Sequence, residues 1–310
     1  MSSADATESQ PVHSRTQIIA AFAALYVVWG STYLAIRYAV ATIPPMLMVG
    51  SRFAISGLIL FVWTRARGAP RPTGRQWRAA AITGALLLCC GNGSVSWAEQ
   101  RVPSGLAALI VAVVPLWMVL LDWIRPRGTR PTAVVIAGVL LGLIGLAVLV
   151  GPQSLIGHGF VDFRALVVLM AGSLAWAAGS IYSRHASLPE SAALTTGMQM
   201  IAGSIALLAL GGSLGEFGRL DVPAISTPSW IGWTYLVTFG SLVGFTAYLF
   251  LLRAVSAAKA STYAYVNPVV AVLLGWAIAG ETVTPRTIAG AAIIVGGVAI
   301  ISLTRAKAAR

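Results

Sequence analysis

Apolar runs that are each long enough to cross a membrane follow one another along this sequence. A transmembrane helix needs about 20 consecutive apolar residues to span the hydrocarbon core of a bilayer. Ten runs approach or reach that length, at residues 17–40, 46–64, 77–97, 104–123, 132–150, 164–183, 193–211, 229–251, 260–279 and 286–304. They are too long for the strands of a membrane β-barrel, which alternate in polarity. The sequence therefore predicts an all-α integral membrane protein with ten transmembrane helices.

The low content of charged residues supports a membrane location. Only 10% of the 310 residues are charged and 57% are hydrophobic, whereas a soluble domain has about 25% charged residues. Residues 1–16 are polar and carry no signal-peptide cleavage pattern, so we expect a cytoplasmic N-terminal tail and a retained first helix. The net charge of +12 does not indicate a nucleic-acid partner, because the basic residues lie in short loops between the apolar runs.

Lysine and arginine are concentrated in alternate loops, which predicts the orientation of the chain. If the N-terminus is cytoplasmic, fifteen of the 21 Lys and Arg lie on the inner side. Four lie on the outer side: Arg101, Arg164, Arg219 and Arg286. This excess follows the positive-inside rule. We therefore expect both termini to be cytoplasmic, including a short tail at residues 305–310.

The two halves of the chain resemble each other. Trp29 precedes Arg37 by eight residues, and Trp176 precedes Arg184 by the same interval, with an offset of 147 residues between the pairs. Residues 17–150 and 164–304 are therefore predicted to be two five-helix repeats. Because five is odd, the repeats face opposite ways across the membrane, which is the architecture of carriers that work by alternating access.

Three motifs carry a resemblance to a known family. They are "WGSTYLAIR" at residues 29–37, "SGLAALIVAVVP" at residues 104–115 and "NPVVAVLLGWAIAGE" at residues 267–281. With the predicted repeats, they make the chain similar to the EamA-type ten-helix exporters of the drug/metabolite transporter superfamily. The resemblance implies a bacterial inner-membrane exporter. Family members often carry a Gly-Glu pair after both the fourth and the ninth span, whereas here Gly280-Glu281 has Arg127-Gly128 as its counterpart.

Polar side chains in the first and sixth spans are the first candidates for a substrate site. Trp29, Tyr33 and Arg37 are spaced four residues apart and share one helix face. Trp176 and Ser180 do the same in the sixth span. Polar groups in a span tend to face the bundle interior or a cavity, so we expect both faces to contact substrate. The alternatives are interfacial anchoring for the Trp residues and snorkelling of Arg37 to the membrane surface.

The third and ninth spans carry two further polar faces. Asn92 and Ser96 lie one turn apart in the third span, and Tyr263 and Asn267 do so in the ninth. We predict that all four contribute to substrate binding. Arg52, in the second span, has two open interpretations, a structural bridge to Glu99 or a contact with substrate.

Two prolines are predicted to break their helices. Pro115 and Pro268 lie at equivalent places in the fourth and ninth spans. Each removes the hydrogen bond to the carbonyl four residues earlier, at Val111 and Ala264. A free carbonyl beside a cavity accepts a hydrogen bond from an ammonium group, although a simple packing kink is the alternative.

These features favour a transporter over an enzyme or a channel. The sequence has no P-loop, no HExxH motif and no paired aspartates, and no ring of charges typical of a channel filter. Cys89 and Cys90 are adjacent, which suits neither a disulfide nor a metal site, so we expect no metal or cofactor. The aromatic and amide side chains suit a neutral or aromatic amino acid. A broad-specificity exporter of lipophilic drugs is the alternative, and a monomer or weak homodimer is expected.

The positions of the acidic residues bear on energy coupling. Proton-driven carriers hold a protonatable group deep in the membrane. All nine Asp and Glu residues, and the three His, fall in predicted loops, tails or last helical turns. The sequence therefore predicts transport without an obligatory proton, and Glu99 is the acid nearest to contradicting it.

Overall fold

The computed structural model describes residues 14–125, 130–150, 162–254 and 263–308, and within these ranges it is helical with no strand. The long helices are α1 (Arg15–Ala39), α2 (Pro45–Ala66), α3 (Gly74–Ala98), α4 (Ser104–Ile124), α5 (Ala133–Val150), α6 (Phe163–Ser183), α7 (Ala192–Ser213), α8 (residues 227–254), α9 (Tyr263–Ala279) and α10 (Pro285–Ala308). A single helical turn at Glu216–Arg219 lies between α7 and α8. The all-helical fold predicted from the sequence is confirmed.

Among the described residues, six helices, α1 to α4, α6 and α7, are long and apolar enough to cross a membrane. Shorter apolar stretches lie within α5, α9 and α10. The prediction of ten membrane crossings therefore stays a prediction. Each helix begins and ends within a few residues of the apolar run that predicted it, because run length and helix length are set by the same bilayer.

Large apolar side chains cover much of the outer surface of the bundle. Trp276 of α9 is 60% exposed and Ile231 of α8 is 65% exposed. A water-soluble protein rarely leaves such side chains in large exposed patches. Their exposure is consistent with a surface that contacts lipid.

Two pairs of helices approach closely through glycine. A Cβ added at Gly57 of α2 would lie 3.0 Å from the carbonyl oxygen of Gly197 of α7, and one at Gly197 would lie 3.2 Å from the carbonyl of Gly57. A Cβ at Gly138 of α5 would lie 3.0 Å from the carbonyl of Gly297 of α10. Small residues allow such backbone contact in membrane bundles. Each pair joins one half of the chain to the other.

A π-helical segment interrupts both α3 and α8. Ala85–Asn92 forms the first and Leu236–Val243 the second. A π-helix adds a residue to the turn and is found frequently at functional sites. Both segments lie near the middle of their helices, and both direct residues toward the centre of the bundle.

The two prolines differ in their effect. α4 consists of Ser104–Val111 and Val114–Ile124 with a turn between them, immediately before Pro115. α9 is a continuous helix across Pro268. The predicted helix break at Pro268 is therefore wrong for the described residues. Pro268 still lacks the N–H that would bond to the carbonyl of Ala264.

Candidate functional site

A cavity of about 160 Å³ lies between the two halves of the chain. Helices α1, α2, α3, α4, α6, α8 and α9 contribute to its wall. An apolar cavity of about 150 Å³ holds one benzene molecule, so the volume suits a single small metabolite. Eight of the residues predicted from the sequence line it: Trp29, Tyr33, Asn92, Pro115, Trp176, Tyr263, Asn267 and Pro268.

Trp29 is held in a cluster of aromatic rings. Its ring centroid lies 5.3 Å from Phe245, 5.3 Å from Tyr248 and 5.0 Å from Tyr263. Its indole N–H donates to the carbonyl oxygen of Gly240 at 3.3 Å. The contacts with Phe245 and Tyr263 are edge-to-face, an arrangement that fixes ring orientation. Trp29 therefore lies inside the bundle and does not anchor it at the membrane surface.

The π-helix of α3 brings Asn92 to the cavity wall and places Gly91 against the ring of Trp176. A Cβ added at Gly91 would lie 2.8 Å from the ring of Trp176, so only glycine allows this approach. Asn92 donates through Nδ2 to the carbonyl of Leu87, five residues earlier, at 3.4 Å. Its Oδ1 accepts a hydrogen bond from Arg52 Nη2 at 3.1 Å. The amide of Asn92 is therefore oriented by contacts on both sides.

Three predicted site residues lie outside the cavity. Arg37 contacts Glu281, with Nη1 3.3 Å from Oε1. The Ser180 hydroxyl donates to the carbonyl of Trp176 on its own helix at 2.7 Å. Ser96 is fully buried and its hydroxyl has no hydrogen-bond partner. Each is four residues beyond a lining residue, and one turn moves a side chain about 5.4 Å along the helix axis. The four-residue spacing predicted which helix face these side chains share, but not whether each lies at the level of the cavity.

Two buried glutamates cap helices of the other half of the chain. Glu281, after α9, accepts hydrogen bonds from the backbone N–H and the hydroxyl of Ser104 at the start of α4, both at 2.8 Å. Glu216, after α7, accepts from the N–H groups of Met46 and Leu47 at the start of α2, at 2.9 and 3.0 Å. A carboxylate at a helix N-terminus satisfies free N–H groups and the helix dipole. Both contacts tie the two halves together.

Glu99 lies at the same end of the bundle, which we call the acidic end, defined by Glu99, Glu216 and Glu281. Glu99 is 3% exposed, and neither of its carboxylate oxygens has a hydrogen-bond partner. Among the described residues, the ion pairs within 4.0 Å are Arg37–Glu281, Arg125–Asp122 and Arg219–Glu216. Of the two open interpretations of Arg52, the bridge to Glu99 is therefore not formed, and Arg52 donates to Asn92.

Sequence reasoning left several lining residues out of the predicted site. Thr32, Phe245, Ser173, Ser241 and Arg52 all line the cavity. Arg52 could be recognised as the one arginine well inside the second apolar run, for which a contact with substrate and a bridge to Glu99 were both open interpretations. The others resemble ordinary packing residues until the helices are assembled.

A bundle of apolar helices around a cavity with aromatic and amide walls is typical of a membrane transporter. The chain belongs to the EamA-like transporter family, whose model matches residues 16–151 and again residues 163–303. The resemblance drawn from the three motifs is therefore confirmed.

Relatives and a solved structure agree with this assignment. The chain is 38% identical over 287 residues to a protein of Escherichia coli (strain K12) named "Uncharacterized inner membrane transporter YedA", which covers 92% of this chain and 90% of that protein. It is 28% identical over 280 residues to the "Probable terminal-alkyne amino-acid exporter" of Streptantibioticus cattleyicolor, covering 89% and 90%. A crystal structure at 22% identity matches with a TM-score of 0.63, covering 96% of this chain and 100% of that chain, which supports the fold. The protein is thus a multi-pass inner-membrane transporter.

Proposed function

We propose that the protein exports small metabolites, chiefly neutral or aromatic amino acids, by alternating access around the described cavity. The observation that carries the proposal is the composition of the cavity wall. Trp29, Tyr33, Trp176 and Tyr263 supply aromatic faces, and Asn92 and Asn267 supply amides. Aromatic rings pack against an apolar side chain while a few polar groups fix the orientation of the ligand.

The position of the cavity supports an alternating-access mechanism. Residues from both halves line it, and the helices of the two halves contact each other on either side. In carriers built from inverted repeats, the substrate site lies at the interface between the repeats. Repeats 17–150 and 164–304, with both termini in the cytoplasm, make the acidic end the outer end of this protein. The cavity then alternates between that end and the arginine-rich cytoplasmic end.

Transport without an obligatory proton is the second part of the proposal. Within the described residues, no Asp, Glu or His lines the cavity. Glu216 and Glu281 accept hydrogen bonds from helix N-termini, which holds them in place as structural caps. An amino acid that accumulates in the cytoplasm leaves down its own gradient, so no coupling ion is required.

A broad exporter of lipophilic drugs is the alternative. It is favoured by the apolar part of the wall, which includes Ile36, Phe53, Val95 and Phe245. The relative named as an amino-acid exporter favours amino acids over drugs. A catalytic role has no support from the family assignment, which is that of a transporter.

Dipeptide feeding of bacterial cells tests the proposal. Cells that produce the protein take up dipeptides, hydrolyse them and accumulate one amino acid at a time. The proposal predicts faster appearance of at least one neutral or aromatic amino acid in the medium than from cells that produce the Trp176→Ala variant at the same level. Equal release for every amino acid tested, together with faster efflux of a lipophilic dye, would favour the drug exporter.

A further inference from the structure

Arg52 is a buried cation on the wall of the cavity. It is 4% exposed and is the single charged side chain among the described residues that line the cavity. Burying an unpaired charge costs several kcal/mol even after the protein relaxes. An ionisable side chain inside a membrane bundle pairs with another polar group or marks a substrate pathway.

The hydrogen bonds of Arg52 leave part of the guanidinium without a partner. Nη2 donates to Asn92 Oδ1 at 3.1 Å, whereas the buried Nε–H has no acceptor. Among the described residues, no carboxylate lies within 4.0 Å of the Arg52 guanidinium. Glu99 is close enough to interact electrostatically but does not form an ion pair. The guanidinium is thus positioned by the neutral amide of Asn92 and lies 4.2 Å from the centroid of the Phe53 ring, and no described carboxylate contacts it directly.

The cavity also holds an acceptor without a donor. Asn267 is 7% exposed, and its Oδ1 is buried and has no hydrogen-bond partner. The hydroxyl of Ser241, which also lines the cavity, is likewise buried without a hydrogen-bond partner. Buried polar groups are nearly always hydrogen-bonded, so unsatisfied groups on one cavity wall indicate the chemistry of its occupant.

We propose that Arg52 binds the carboxylate of the substrate and that Asn267 Oδ1 accepts a hydrogen bond from its ammonium group. An arginine matches a carboxylate through two parallel N–H donors, and an amide oxygen accepts from an ammonium group. An α-amino acid carries both groups, and its side chain would pack against Trp29 and Trp176, which line the same cavity. This assignment rests on the proposed amino-acid export and narrows it, because amines and organic cations without a carboxylate leave Arg52 unpaired.

Ligands that each lack one group of the amino acid test the carboxylate and the ammonium separately. Binding to the purified full-length protein in detergent is measured calorimetrically for phenylalanine, for phenethylamine, which lacks the carboxylate, and for 3-phenylpropionate, which lacks the ammonium. The same series is repeated with leucine, isoamylamine and 4-methylvalerate. Since a site built to hydrogen-bond a group rejects analogues that lack it, we expect each amine to bind at least about tenfold more weakly than its amino acid.

Variants assign the preference to Arg52. Arg52→Gln should lower the ratio of amino-acid to amine affinity to near one, and Arg52→Lys should keep part of it, because the charge remains but the paired donors do not. Asn267→Leu should weaken the binding of the amino acid and leave the affinity for 3-phenylpropionate nearly unchanged. Arg101→Gln, at an exposed site beyond the end of α3, is the matched control and should keep the full preference. Size-exclusion profiles and melting temperatures confirm that each variant is folded.

The outcomes distinguish this inference from the proposed function. If the amines bind as tightly as the amino acids, or if Arg52→Gln keeps the preference, the assignment of Arg52 is overturned while amino-acid export stands. If the deaminated acids bind and the amino acids do not, the carboxylate site is supported and amino-acid export is overturned. Absence of binding by the amino acids and by the deaminated acids contradicts both.

Discussion

Glu281 joins the end of α9 to the start of α4 through Ser104. Its Oε1 accepts from the N–H and the hydroxyl of Ser104, both at 2.8 Å, and its Oε2 accepts from the N–H of Gly105 at 3.1 Å. Arg37 Nη1 lies 3.3 Å from Oε1. Gly280 has φ +64°, a left-handed conformation that turns the chain back at the end of a helix. The Gly-Glu pair is therefore a capping device that links α1, α4 and α9.

Replacing the cap at Glu281 should destabilise the protein. In Glu281→Gln, one acceptor oxygen becomes an NH₂ group that faces backbone donors, and the partner of Arg37 loses its charge. Leaving buried donors unsatisfied costs about 1–3 kcal/mol, so the melting temperature in detergent should fall by several degrees. Glu190→Gln, at an exposed loop position, is the control and should melt like the wild type. Equal melting of both variants would show that the cap contributes nothing.

Removing either cavity tryptophan should slow transport without preventing insertion. Trp29→Ala and Trp176→Ala each delete an aromatic face of the cavity, and we expect the rate to fall about tenfold, which corresponds to about 1.4 kcal/mol. Trp276→Ala, at a site that is 60% exposed, should transport normally. Rates are compared at equal amounts of inserted protein. Normal transport by both cavity variants would show that Trp29 and Trp176 serve only in packing.

The orientation of the chain is tested by reporters. A cytoplasm-active fluorescent reporter fused after Arg310, or inserted at residues 65–78, should be active. An alkaline phosphatase inserted in residues 212–228 should be active, because this connection follows the seventh span and lies outside the cytoplasm when the N-terminus is inside. A cytoplasmic result at residues 212–228 would contradict the inverted repeat.

Transport should not require a proton gradient. Because no acid among the described residues lines the cavity, an imposed pH gradient should not drive accumulation of an amino acid in liposomes beyond its equilibrium level. Glu99 is buried beside Arg37 and Arg52 and is the acid that most directly challenges this expectation. Uphill accumulation that is abolished by Glu99→Gln would establish proton coupling.

The sequence predicted the helices and much of the cavity because both follow from polarity along one chain. Helix ends follow the limits of apolar runs. Asn92 was identified because polar groups within such runs avoid lipid, and Trp29 and Trp176 because they lie near the middle of their runs at equivalent places in the two repeats. These inferences need no knowledge of how the helices pack.

Contacts between helices could not be read in the same way. Arg52 bonds to Asn92 and does not form an ion pair with Glu99. Asn92 ends the π-helical segment of α3, which no residue pattern in the sequence predicted. Ser180 looked like a cavity residue but bonds to its own helix. From the sequence, Arg37 could reach the membrane surface or contact substrate. Its contact with Glu281 depends on the turn at Gly280, which carries Glu281 back toward α1.

Efflux of labelled amino acids from proteoliposomes tests the central claim most directly. Liposomes with and without the protein are loaded with one labelled amino acid at a time, from a panel that spans neutral, aromatic, acidic and basic side chains, and are diluted into buffer at equal pH. The account predicts protein-dependent release of at least one neutral or aromatic amino acid, slowed by Trp176→Ala and unaffected by Trp276→Ala. Release no faster than from protein-free liposomes for every amino acid in the panel would contradict it.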